Sequence, residues 1–481
     1  METVMHDWKQ IDLEYGDRLL TVPVPLQTEI LSMRHPPPIA DPVAAIEAAL
    51  EQPIGSSALK ELIEKAAGEA EKPVAELTAA VTVSDNTRPV PYSSDREDGI
   101  LLPLLEALHS AGIPPQNVTI VVGTGTHVAT SLQWKKTAFG DKIVERYRIL
   151  DHDCTSPALK SIGKVDGIEV KVNEQFAKAD IRIATSLVEP HLMAGVSGGA
   201  KAICPGLISI ETTRLFHSAQ WMDNPNATNL VLENNPCFEF PRKVAGKVGI
   251  HFSVNCLVNR EGRLTGIFTG DIEKAHEEAA REVRNTAVIP CRDPYDIIIT
   301  HGGKVAVNHY QAAKAAYGTI PVIREGGIVI LAAYNGDPEP VGKPEYKELL
   351  DLLRKKGPGV FSEYIKRPEW EFVPDQWQVQ KWDQVFMKLG GFEKLIYCTD
   401  NIPADVLSAL PCRSGYEFLS GEGVKTAKLP QRRNAETSRQ TVQTMVLETV
   451  RYAVQQKTDE LGREPLVAVL PDGPYGVPLL E

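Results

Sequence analysis

Cysteine is scarce and falls in no useful pattern. The seven in the chain (Cys154, Cys204, Cys237, Cys256, Cys291, Cys398 and Cys412) are odd in number and scattered. None forms a C-x-x-C pair, so neither a disulfide framework nor a thiolate zinc site organises the fold. Positive charge is also short: 51 Lys and Arg against 63 Asp and Glu leave a net charge of −12. Neutralising a phosphate backbone needs a cationic surplus on some face, so nucleic acid is not an expected partner, and an anionic membrane surface is disfavoured with it. A small acidic ligand stays open, because a few local cations decide its binding. No apolar run approaches the length of a bilayer span. The opening Met1-Glu2-Thr3-Val4-Met5-His6-Asp7 has neither the basic nor the apolar region of a signal peptide, which makes the cytoplasm the expected location. Also missing are the G-x-x-x-x-G-K-[ST] phosphate loop, a complete G-x-G-x-x-G and any H-E-x-x-H.

What remains is an ordinary globular composition, 43% hydrophobic and 24% charged, over 481 residues, too long for one core. After a short β-like stretch (Leu19 to Val24) and the His35-Pro36-Pro37-Pro38 connector, helices are predicted from Pro42 to Leu50 and from Ser57 to Ala70. A strand–helix rhythm then begins, with apolar strands at 79–84, 118–122 and 180–185 and a helix at 100–111. A further helix is expected from Glu273 to Val283. The rhythm restarts near Cys291-Arg292-Asp293-Pro294, with strands at 296–300, 327–332, 394–398 and 466–470 and a long helical stretch from Asn434 to Leu461. Apolar strands alternating with helices imply parallel sheets covered on both faces. The expected architecture is therefore α/β, with two domains, each a mainly parallel sheet flanked by helices, and an active site in the cleft between them. The boundaries drawn from the sequence are 1–290 and 291–481, with the last helical segment a candidate to pack back on the first domain.

The unusual residues follow strand ends, which is where open α/β sheets bind ligands. Glu189 to Gly206 holds glycines at 195, 198 and 199 together with Ser197 and Lys201. Such a loop lets backbone N–H groups approach an anion; a tight turn with a surface lysine is the alternative. Five histidines are candidates: His127, His152, His191, His217 and His301. His127 and His191 stand out because each lies in a Gly-flanked loop after a strand, where an imidazole suits acid–base work near neutral pH. In Asp85-Asn86-Thr87-Arg88 a carboxylate and a guanidinium lie three residues apart, either as a local ion pair or as an Arg fork for a carboxylate. Asn308 to Lys314 resembles a helix start with Gln311 and Lys314 on one face, for which a solvated face is the alternative.

Taken in order, these segments resemble the lactate racemase family. The resemblance runs through most of the chain: Asp85 to Arg88, Gly125-Thr126-His127, Pro190 to Gly206, and Tyr310-Gln311 with Lys314. The resemblance implies a nickel pincer nucleotide cofactor, covalently attached to Lys201. It implies nickel ligation by His217, sixteen residues further on, and cofactor contacts from Asp85, Thr87, Gly125, Ser197, Gly198 and Gly199. It makes His127 and His191 the acid–base pair, and Arg88, Tyr310, Gln311, Lys314 and Trp377 the substrate contacts. The implied activity is racemisation or epimerisation at C2 of a 2-hydroxy acid through a 2-keto acid, with cofactor-making enzymes as partners; nothing in it forbids an oligomer. The stretch Gly357 to Lys388 carries three of the six tryptophans; it is either a packed helical pair or a lid that sets substrate size. Two other functions stay open on the residues alone: a nucleotide- or nickel-binding protein without turnover, and a zinc-dependent hydrolase using the same histidines.

Overall fold

The computed structural model describes residues 8–419 and 435–481. Asn434, the expected first residue of the long helix, lies outside them; the helix runs Ala435–Leu461. Among the described residues no helix is long and apolar enough to cross a membrane.

The chain forms two compact units. The first comprises Arg34–His217 and Asn224–Thr286; the second takes the chain up to Met33, the short Ser218–Asp223 segment and Ala287–Glu481. One break falls at Thr286, and residues 8–33 belong with the C-terminal half. The reason lies in backbone pairing. Glu29–Ile30 extends the second sheet by pairing with Ala468 and Val469, and Gln443 on the last helix donates to the Thr21 carbonyl of the N-terminal hairpin. The last helix thus packs on the N-terminal residues, but inside its own unit.

In the first unit six strands lie in the order Leu264–Gly270, Phe252–Val258, Ile181–Leu187, Ala79–Ser84, Val118–Gly123, Arg148–Asp151. All neighbours are parallel except the Leu264–Gly270 edge. The central strands are β-branched and apolar because helices cover both faces, leaving no side for polar alternation. Val81, Ile120, Ile183 and Val254 are fully or almost fully buried beside Leu104, Leu105 and Leu108 of the helix Leu101–Ser110. The second unit holds another six-stranded sheet, all parallel, ordered Arg413–Ser414, Leu395–Cys398, Ile323–Ala332, Tyr295–His301, Val467–Leu470, Glu29–Ile30. The expected class, two α/β units with parallel sheets flanked by helices, is what forms.

Helix starts are set by local chemistry. Asp41 accepts from Ala44 N–H at 3.0 Å ahead of Pro42–Glu51, and Asn308 accepts from Gln311 N–H at 3.0 Å ahead of His309–Tyr317. Each satisfies a donor that the first turn leaves unpaired. Further elements beyond those expected are the antiparallel pair at 252–258 and 264–270 and the helix Pro236–Val248, which carries Pro241 in its interior.

Ile183 is fully buried between Val81 and Phe252 of the flanking strands. Ile183→Ala should lower unfolding free energy by about 2–5 kcal/mol, since the cavity adds to the lost transfer energy; a denaturant titration of the full chain measures it.

Candidate active site

Three adjacent strands of the first unit end at the same edge of their sheet and deliver the candidate residues. Ala79–Ser84 leads into Asp85, Val118–Gly123 into Gly125 and His127, and Ile181–Leu187 into Glu189, His191 and Lys201.

Asp85 is buried and closes a tight turn: Oδ1 accepts from the Thr87 N–H at 3.1 Å and from its hydroxyl at 2.6 Å. Oδ2 lies 2.6 Å from His127 Nδ1. Burial alone would raise this carboxyl's pKa, but the bonds from His127 and Thr87 and the histidine's charge hold it below the usual range. His127 itself is 46% exposed, with only its Nδ1 edge anchored. The turn before it needs glycine, since Gly125 has φ +57°. The Gly125 N–H donates to the Gly206 carbonyl at 3.1 Å, which ties the His127 loop to the lysine loop.

That second loop is held from inside. Gly199 N–H donates to Ser186 Oγ at 3.0 Å and Asn255 Oδ1 at 3.2 Å, and Ser186 donates to the same Asn255 oxygen. Ser197 Oγ donates to the Leu187 carbonyl and accepts from Glu189 N–H, while His276 Nε2 donates to the Ser197 carbonyl at 2.8 Å. A side chain at 199 would meet the His276 ring at 2.4 Å, and one at 198 would meet Val188 and Ser186. The expectation that these glycines turn N–H groups towards an anion is therefore corrected at Gly199, whose donor is already used. Close packing accounts for the glycines. His276 and Asn255 were not singled out in the sequence; a polar residue inside an apolar strand was the signal for Asn255.

Lys201 follows on the short turn Gly199–Ala202, with its amine 5.0 Å from the centre of the Phe216 ring. Although the residue as a whole is half-buried, its amine is surrounded by protein. Burial, and then the positive charge of Arg88, bring its pKa down to about 8. His217 caps the helix Ile210–Phe216 and stacks edge-on against Phe216, ring centres 4.7 Å apart. Burial, with the Lys201 charge next, takes its pKa down to about 3, so the imidazole is neutral. Amine and imidazole thus share one phenylalanine, which the sequence could only count out as a spacing.

His191 opens a small hairpin, Pro190–His191 against Gly195–Val196. Its Nδ1 accepts from the N–H groups of Met193 and Ala194, each at 3.2 Å. Arg88 pairs with Glu189 at 3.2 Å, both only 19% exposed. That resolves the local choice left open at Asp85 to Arg88: the guanidinium pairs with Glu189 rather than with Asp85. Of the other histidines, His152 bonds the Ile208 carbonyl and His301 the Pro471 carbonyl, both buried.

In the second unit Tyr310, Gln311 and Lys314 share the helix His309–Tyr317, and Trp377 Nε1 donates to the Tyr310 hydroxyl at 2.9 Å. Gln378 donates to the Tyr310 carbonyl. Gln311 Oε1 is buried and accepts no hydrogen bond. Phe361, Trp377, Trp382 and Phe386 are buried, so the aromatic stretch builds packed helices.

A carboxylate-held imidazole, a second oriented imidazole and a buried amine thus gather at one sheet edge. Comparison with known proteins gives the family. Residues 15–229 match the lactate racemase N-terminal domain and 291–438 the lactate racemase C-terminal domain. The chain is 31% identical to the lactate racemase of Thermoanaerobacterium thermosaccharolyticum, over 74% of this chain and 79% of that protein. It is 28% identical to that of Lactiplantibacillus plantarum, over 76% and 81%. The solved apoprotein of the former superposes with a TM-score of 0.78 at 25% identity, covering 98% of this chain and all of the other. A Thermotoga maritima protein shares the fold at TM-score 0.56 and 18% identity. The chain belongs to the lactate racemase family, a family of isomerases.

Among the described residues no three His, Cys, Asp or Glu side chains gather as a metal site.

Lys201 should behave as an amine of pKa about 8. Its neutral fraction rises with pH and reaches half there, whereas exposed lysines titrate at roughly 10.4. Competitive acylation read by peptide mass spectrometry should give that half-point. Gly199→Ala combines φ +52° with the His276 clash and should cost about 1–3 kcal/mol, moving the Lys201 half-point upward as the loop loosens.

Proposed function

We propose that this chain is a racemase or epimerase that inverts C2 of a 2-hydroxy acid, using a nickel pincer nucleotide attached to Lys201. The observation that carries the proposal is the pairing of Lys201 and His217 on Phe216: a partly neutral amine fit for covalent attachment beside a neutral imidazole fit for nickel. Nickel(II) accepts nitrogen donors of this kind readily. When bound, the group supplies reversible acceptance of hydride.

The chemistry of the substrate asks for this. Removing the C2 hydrogen as a proton would leave a carbanion beside a carboxylate, with no adjacent carbonyl to delocalise it. Removing it as hydride leaves a stable 2-keto acid. The chain's residues then have three tasks. Lys201 and His217 hold the cofactor, and the turn formed by Ser197, Gly198 and Gly199 aims the lysine. Asp85 and Thr87 orient His127, and Gly125 shapes the turn leading to it, so that His127 and His191 serve the substrate hydroxyl. In the first unit Arg88, set by Glu189, is the cation offered to a carboxylate. In the second unit the substrate contacts are Lys314, the Gln311 oxygen, and Trp377 with Tyr310, bonded to each other.

Co-expression with the cofactor-making enzymes should yield an intact-mass adduct that maps to Lys201 and vanishes in Lys201→Ala. The loaded protein should racemise at least one acid of a chiral 2-hydroxy acid panel, and His127→Asn should lower kcat/KM by about 10²–10⁴-fold. An adduct without turnover would leave only a cofactor-carrying protein; absence of any adduct would end the proposal.

A further inference from the structure

The peptide bond from His217 to Ser218 carries the chain out of one compact unit and into the other, and the bond from Asp223 to Asn224 carries it back. The segment between, Ser218–Asp223, contains a single helical turn, Ala219–Met222. So short a helix does not hold itself, because nucleation is unfavourable and few bonds follow to offset it. Its carbonyls are also left without partners inside the helix. The helix Gln376–Leu389 supplies them from outside. Gln380 Nε2 donates to the Ala219 carbonyl at 2.9 Å, and Lys381 Nζ and Gln384 Nε2 donate to the Met222 carbonyl at 3.4 and 3.2 Å. At the end of the segment Lys366 pairs with Asp223 at 2.7 Å. Ala219, Met222, Gln380 and Lys381 are fully or almost fully buried, so water does not replace a lost donor.

His217 closes the helix Ile210–Phe216, with its N–H on the Thr213 carbonyl at 2.9 Å. Its backbone is thus fixed by that helix on the amino side and by Ser218–Asp223 on the carboxyl side. We propose that Gln380, Lys381 and Gln384 are positioning residues for His217: by gripping Ser218–Asp223 they fix the backbone from which the metal-binding imidazole projects. This rests on the reading of His217 as the nickel ligand. The gripping helix also carries Trp377, whose indole bonds the Tyr310 hydroxyl, and Gln378, which bonds the Tyr310 carbonyl. Lys381 lies 4.6 Å from the centre of the Tyr317 ring, on the helix of Tyr310 and Lys314. A shift of these helices is passed to the metal ligand along the chain itself, through one peptide bond. Groups behind a metal ligand tune how firmly it holds the ion.

Gln380→Met with Gln384→Met keeps the bulk and removes both amide donors. In the full chain without cofactor, carbethoxylation of His217 by diethyl pyrocarbonate, read by peptide mass spectrometry, should speed up about tenfold, because the buried imidazole reacts only when its surroundings open. His152, buried in the same unit as His217, should keep its wild-type rate. Lys366→Met cuts only the ion pair at the segment's end; it should melt like the wild type and raise the His217 rate about twofold. Leu349→Ala, a core variant on the helix Pro344–Lys356, lowers the melting temperature without touching the segment and should leave His217 protected. Unchanged protection of His217 in the double variant and in Lys366→Met, or equal loss of protection in Leu349→Ala, overturns the proposal. In the cofactor-loaded enzyme the double variant should release nickel to a chelator about tenfold faster while the organic adduct on Lys201 persists; unchanged release overturns the proposal as well. If the wild type takes up no nickel, the racemase reading fails, and carbethoxylation still decides whether the segment places His217.

Discussion

The site depends on one buried fastening. Ser186 and Asn255, on neighbouring parallel strands, together receive the Gly199 N–H, while Ser197 and His276 bind the loop to the end of the first strand and to the helix Lys274–Ala287. An irregular loop in a protein interior carries backbone groups that water no longer serves, and each must find a partner there. Because these partners sit on rigid strands, the loop is as fixed as the sheet. The position and environment of Lys201 follow from that.

Electrostatics inside the site run against the acidity of the whole chain. Arg88 and Lys201 bring positive charge together with little solvent, and Arg88's field favours the neutral amine. Glu189 compensates Arg88 at 3.2 Å, so the guanidinium is oriented without being drawn into the core unpaired. Net charge told only what the surface avoids; the local pairs decide what the site attracts.

The second unit repeats the principle with aromatic rather than polar fasteners. His309 stacks on Trp382 and Tyr397 and bonds the Tyr346 hydroxyl, fixing the start of the helix that carries Tyr310, Gln311 and Lys314. Trp377 is buried with its indole N–H on Tyr310, so the aromatic-rich stretch reaches the candidate substrate contacts through its own packing.

The sequence by itself determined the strand–helix alternation, the parallel sheets and the grouping of Asp85, His127, His191 and Lys201 at strand ends, because apolar runs of strand length and glycine stops are local signals. It also carried the family likeness, through motifs in a fixed order. It did not determine that residues 8–33 join the C-terminal half, since a two-residue strand such as Glu29–Ile30 gains its meaning only from the strand it pairs with. Nor did it show that Gly199 answers to His276, that Arg88 turns to Glu189, or that His127 rests on Asp85. Those depend on partners 42 to 101 residues away in the chain, brought into contact only when the sheet and its loops close, and tertiary structure alone decided them.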